Sequence, residues 1–144
     1  MTQQRMRQFR HGDVFLEEVG AVPLGATEVR RGDVVLAEGE VTGHRHAIDA
    51  RGATVIEWDA TGQRYVTIEG GRPLTQYRLT GDLPNHYRVD EGHTRRPDDA
   101  VEHQHLTGVV LDHEEHGKEA IPAGNYAFGR LNVYEDEEVR SVAD

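Results

Sequence analysis

Cysteine is absent from this sequence, serine occurs once (Ser141), and no apolar run exceeds a few residues. Without cysteine there is neither a disulfide nor a thiolate nucleophile, which fits a reducing compartment and predicts a cytoplasmic location. With the one serine near the acidic carboxy-terminal end, Ser- and Cys-based triads are excluded. The longest apolar runs, such as Val34-Val35-Leu36-Ala37 and Val109-Val110-Leu111, fall far short of the ~20 residues of a transmembrane helix, so no membrane span is expected. The start, MTQQRMRQFRHGDVF, has basic residues but no apolar stretch of a secretory signal. P-loop and G-x-G-x-x-G fingerprints are also missing.

Basic charge is the scarcer sign. Sixteen Lys and Arg stand against 26 Asp and Glu, for a net charge of −10. Such a surface repels phosphate backbones, so sequence-independent nucleic-acid binding is not expected. Arg5, Arg7 and Arg10, and the pair Arg95-Arg96, are small basic exceptions that read as solvated surface charge or local anion sites. Glu135-Asp136-Glu137-Glu138 reads as a solvated tail.

Helical periodicity is hard to find. Sixteen glycines are spread through the chain, and long helices tolerate that poorly. β-Branched and aromatic residues cluster instead in short runs bounded by turn residues. Strands are expected at Asp13–Glu18, Asp33–Ala37, His44–Ile48, Thr54–Trp58, Arg64–Glu69, Leu74–Leu79, His86–Val89, His103–Leu111 and Asn125–Tyr134. Asp59-Ala60-Thr61-Gly62 suggests a hairpin, and Gly70-Gly71 and Gly81–Asn85 are further breaks. Gly12-Asp13-Val14 and Gly32-Asp33-Val34 are two similar turn-to-strand openings. The polar stretch Asp90–Asp99 is expected to be the least ordered. The fold class is therefore mainly β: a single-domain β-barrel or β-sandwich with little helix, spanning 1–144, with 1–8 and 135–144 as flexible ends. A chain near this length buries roughly 68–70% of its unfolded surface, so no staple is needed.

Histidine is abundant, with nine residues. His44 and His46 are two apart, so on a strand both imidazoles project from one face. His103 and His105 repeat that spacing. His113 and His116 are three apart, which brings side chains together in a helical turn or tight loop. His11, His86 and His93 stand alone and read as structural or exposed. Neutral imidazole is the commonest protein metal ligand, and a site needs three or four converging ligands. His44, His46, His113 and His116 are the metal-ligand candidates, with His103 and His105 in reserve. The alternative for each pair is a polar strand face or hydrophilic loop. His113-Glu114-Glu115-His116 is not the H-E-x-x-H helix of zincins, which needs histidines four apart. Glu114 and Glu115 are the candidate general bases or partners of the ligands.

Gly39, His44, His46 and Gly52, together with the Pro122-Ala123-Gly124 turn, resemble the two motifs of cupins. That resemblance implies a small β-barrel holding a metal through His44 and His46. The cupin glutamate just after the H-x-H pair is missing, Asp49 lying nearest. No histidine follows Pro122-Ala123-Gly124, so His113 or His116 would replace it. Tyr126 and Arg130, on the following strand, are candidates to orient a substrate or, with Phe128, to pack. His105-Leu106-Thr107 resembles half of the H-x-T pattern of two-histidine phosphoesterases, but no second copy exists.

The expected function is a histidine-rich metal-binding β-domain, acting as a metal-dependent enzyme on a small molecule. The alternative is a non-catalytic accessory or assembly module that works through its surface. The expected cofactor is a divalent metal ion (Zn, Fe, Ni or Mn). The expected partners are a small-molecule ligand and further copies of the chain in a homo-oligomer.

Overall fold

Alternation of apolar and polar residues produces twelve strands in the computed structural model, which describes residues 6–38, 45–113 and 117–130. They are β1 (Gln8–His11), β2 (Val14–Val19), β3 (Thr27–Arg31), β4 (Val34–Glu38), β5 (Arg45–Asp49), β6 (Ala53–Ala60), β7 (Gln63–Gly70), β8 (Arg72–Leu79), β9 (Arg88–Glu91), β10 (Ala100–His113), β11 (Gly117–Pro122) and β12 (Gly124–Arg130). The described residues contain no helix, and hence none long and apolar enough to cross a membrane.

The strands form two curled antiparallel sheets that together make a half-barrel. One sheet runs β1-β2-β12-β7-β6-β3. The other runs β4-β5-β10-β8-β9, with β11 paired to β10. Residues paired across a ladder share a face. In the first sheet, Leu16 pairs with both Phe9 and Phe128, and Val66 with Tyr126. In the second, Ile48 pairs with Val34 and Leu111, and Val109 with Ile121. These rows close on each other as one apolar core. Each fully buried Leu, Ile or Val there contributes about 1.5–3 kcal/mol relative to exposure.

The two Gly-Asp openings do different jobs. Gly12, with φ 65°, and Asp13 make a two-residue hairpin between β1 and β2. Gly32-Asp33 instead carries the chain from the first sheet to the second. The hairpin expected around Thr61-Gly62 joins β6 to β7, with positive φ at both residues. Gly71 marks a close crossing, since a Cβ there would lie 2.0 Å from the Gly108 carbonyl oxygen.

Three strands escape the periodicity reading. β1 is short, β3 is wholly exposed, and β11 holds both Gly117 and Pro122. The Asp90–Asp99 stretch, expected to be poorly ordered, is pinned. Asp90 and Glu91 belong to β9, the Gly92 N–H donates to the Pro73 carbonyl at 2.8 Å, and the Thr94 N–H donates to the Thr75 hydroxyl at 2.9 Å. At the amino-terminal end, the Arg7 guanidinium donates to the Glu18 carboxylate at 2.7 Å and to the Gln76 side chain at 2.9 Å, tying one sheet to the other.

Candidate metal centre

β5 presents His46 on the same face as Ile48, toward the core, because the two are separated by two residues in an extended strand. His46 is 4% exposed. His44, the other half of the expected pair, lies outside the described residues, as do Glu114, Glu115 and His116. His113 ends β10, and only its backbone is described. That backbone is well placed. The β5–β10 ladder pairs Ala47 with Asp112, so His46 and His113 are the next residue of each strand, and His113 itself pairs with Gly117.

The partner that His46 meets is His11, read from the sequence as a lone histidine. β1 buries Phe9 and, two residues on, His11 at 4% exposure. The two imidazoles come from opposite sheets, their Nδ1 atoms are 3.0 Å apart, and their planes stand at 85°. Each outer nitrogen faces an acceptor. His11 Nε2 is 2.9 Å from the Gly117 carbonyl oxygen, and His46 Nε2 is 3.4 Å from an Asp13 carboxylate oxygen. A carbonyl oxygen only accepts, so the His11 Nε2 carries a proton and, in the neutral ring, its Nδ1 is a lone pair facing the His46 Nδ1. With the His46 proton on Nδ1 the contact is an ordinary N–H···N hydrogen bond; with it on Nε2, toward Asp13, two lone pairs point at each other. That arrangement is repulsive unless a cation lies between them, either a proton shared by an imidazole–imidazolium pair or a metal ion. Two nitrogens about 2.1 Å from a tetrahedral ion are separated by about 3.4 Å, so the rings would part by a few tenths of an ångström to admit one.

The pair is buried, but the residues that its outer nitrogens face are at the surface. The Asp13 side chain, in the β1–β2 turn, is 42% exposed, and Gly117 is exposed. Glu119 lies in the next inward row, since Leu111 pairs with both Ile48 and Glu119. Burial away from water alone pushes its carboxyl up to about 7. Among the described residues, no three His, Cys, Asp or Glu side chains already converge as a metal cage.

The remaining candidates fall elsewhere. Asp49, nearest to the missing cupin-type glutamate, is on the opposite face of β5 from His46. It is held by Arg51 at 2.5 Å and Arg72 at 3.2 Å, which keep it ionised far below the usual carboxylate range. Tyr126 is fully buried, donates its hydroxyl proton to the Pro122 carbonyl at 2.7 Å, and packs edge-on against Phe9. Its role is packing, with Phe128 beside it in the core; the Arg130 side chain lies outside the described residues. His103 and His105 pair with Tyr77 and Thr75 of β8, at the other end of β10 from the β5 contact. They do not join His46. His105 is eight residues from His113, roughly 26 Å along an extended strand.

Sequence reasoning missed His11, Asp13 and Glu119. Available signals were the Phe9-x-His11 alternation ahead of the Gly12-Asp13 turn, and the Glu119-x-Ile121 alternation.

Over residues 10–76, just under half of the chain, the sequence is similar to a family described as a domain of unknown function (DUF8820). That stretch includes His11, Asp13, His44 and His46 and stops short of β9–β12. No curated protein and no solved structure matches the chain.

Proposed function

We propose that this chain is a metal-binding β-domain whose divalent ion is held between the two sheets by Nδ1 of His11 and Nδ1 of His46. The observation that carries this reading is the opposition of two Nδ1 atoms at 3.0 Å while both Nε2 atoms face oxygen acceptors. Metal-ligating histidines characteristically donate their other N–H to a carbonyl or carboxylate, which fixes the tautomer and orients the ring. Gly117 and Asp13 are suited to that role. We assign the remaining coordination positions to His113, whose backbone is the next register position beside His46, and to His44 and His116, which are near these two in sequence. Imidazole donors suit Zn, Fe or Ni better than Mg or Ca.

The ion would act on a small molecule arriving at the surface beside Asp13. A bound ion polarises an oxygen or activates a water. The chain's own part is to fix both rings, exclude bulk water on the core side, and hold a proton at Glu119.

The test is elemental analysis of untagged protein, with Zn²⁺ titration of chelator-treated samples. His11→Gln, His46→Gln and His113→Ala are compared with the parent, and circular dichroism reports the fold of each. The expected result is one tightly bound equivalent in the parent that is weakened at least tenfold in His46→Gln. Absence of metal in every preparation, with no uptake by the folded parent, would overturn the reading in favour of a proton-sharing histidine pair. Loss of metal with the fold intact would mark an open functional site. Unfolding on removal would mark a structural ion and favour the accessory-module role.

A further inference from the structure

A second group of histidines lies away from the first. His103 and His105 project from the same face of β10, with ring centroids 4.9 Å apart. His93, in the loop after β9, brings its ring to 4.4 Å from His105. Thr75 organises them. Its hydroxyl has one proton, which it donates to the Gly92 carbonyl at 2.7 Å. Its oxygen accepts the Thr94 N–H at 2.9 Å. The His105 Nδ1, 3.1 Å from the same oxygen, must therefore be the donor. That leaves the lone pair of the neutral His105 ring on Nε2. His103 contributes a second nitrogen, because its Nε2 is buried with no hydrogen-bond partner.

We propose that His93, His103 and His105 form a second transition-metal site at the far end of β10, independent of the His11–His46 centre. Neutral imidazoles with an unshared lone pair bind borderline-soft cations such as Zn²⁺, Ni²⁺ and Cu²⁺. The Thr75 oxygen behind His105 is the kind of outer partner that raises ligand basicity and fixes ring orientation. The three rings meet edge-to-face and tilted rather than converging on a point. Binding therefore requires His93, which is exposed, to turn its side chain over the other two. His103 loses an unsatisfied nitrogen in the process, and leaving such a buried group unpaired costs about 1–3 kcal/mol.

The experiment is titration of the untagged full chain with Zn²⁺ by calorimetry, in the parent, His93→Ala, His105→Ala and His46→Gln. Both first substitutions fall on exposed residues, so folding is not at risk. The expected result is an equivalent of Zn²⁺ that survives His46→Gln, is weakened at least tenfold by His93→Ala, and is lost in His105→Ala. If the central site fails to bind, this equivalent remains as the one observed, so the two readings fail separately. If the equivalent that survives His46→Gln is unaffected when His93→Ala or His105→Ala is added to that variant, the proposal is overturned, as it is by loss of all binding in folded His46→Gln.

Discussion

The chain assembles its two histidine groups by opposite means. His11 and His46 are 35 residues apart, come from different sheets, and meet only because the sheets close on one core. His103 and His105 are neighbours on one strand and need only β8 and the loop after β9 to organise them. The first pair is 4% exposed on both sides, whereas His93 and His105 are at the surface. An interior pair is tied to global stability, because the two rings meet only while the two sheets are closed on each other. A surface trio is tied only to local order. A local change at the loop after β9 disturbs the second and spares the first, whereas loss of the β8–β10 ladder disturbs both.

The largest effect is expected where both groups depend on one piece of backbone. β10 carries the His103–His105 end and the His113 end, and Gly108 lies between them against Gly71. Gly71 has φ 114°, and a Cβ there would lie 2.0 Å from the Gly108 oxygen and 2.6 Å from its carbon. Backbone cannot retreat as a side-chain tip can. Gly71→Ala is expected to cost about 3 kcal/mol or more. Thermal unfolding should show the loss, and calorimetry should show both Zn²⁺ equivalents weakened together. A variant that loses one equivalent and keeps the other would break the claim that β10 couples them.

His46→Ala separates the groups. It opens a cavity between the sheets and strands the His11 Nδ1, a combined cost of about 2–4 kcal/mol. His105→Ala removes an exposed ring and should change stability by no more than about 0.5 kcal/mol. Chemical denaturation of both variants gives the comparison directly. Similar losses in the two would mean that the surface trio is as tightly woven into the fold as the interior pair.

How much of this was legible in the sequence follows the same division. The period-two spacing correctly places His103 and His105 on one face, since that relation is local to a strand. It also marks β5, and hence His46, as a strand position. It does not reveal that His46 faces His11, because spacing carries no information about which sheets pack together. His93 was hidden for another reason. DEGHTRRPDD has little to bury and reads as unordered, yet two backbone N–H groups anchor it to Pro73 and Thr75. β3 was missed because its five residues, Thr27–Arg31, are all exposed and lack alternation. The mainly-β class was legible throughout, since turn residues punctuate the chain wherever a strand ends.

Glu119 distinguishes the interior region by pH. Its carboxyl is raised from 4.5 to about 7 by burial. Between those values the unfolded chain is ionised while the folded chain keeps its proton, so the folded state binds more protons. Stability then falls as pH rises from about 4.5 to about 7, and levels off above. Glu119→Gln keeps the shape and removes the ionisation. It should flatten that slope and, after allowance for partial exposure, stabilise the protein at pH 8 by about 1–2 kcal/mol. Denaturation midpoints measured from pH 4 to pH 8 provide the check. A parent whose stability rises with pH across that window would contradict the burial of a neutral carboxyl beside the His11–His46 pair.

The smallest effect is expected at His105, and it has the opposite sign. Its folded pKa lies below the ordinary histidine value, so the proton is disfavoured in the folded state. The stability linked to this group is present above the unfolded value and is lost as pH falls through the folded one. Because the ring is exposed, water screens the effect and the change in unfolding free energy should be slight. Proton NMR reads the site directly: the His105 ring resonances should titrate below those of a histidine in an unfolded peptide. In His93→Ala and in His103→Ala, each of which removes a neighbouring imidazole, the His105 midpoint should move back up. A midpoint that stays in place in both variants would mean that the rings do not sense one another's charge, and the surface trio would then be three separate histidines rather than a group.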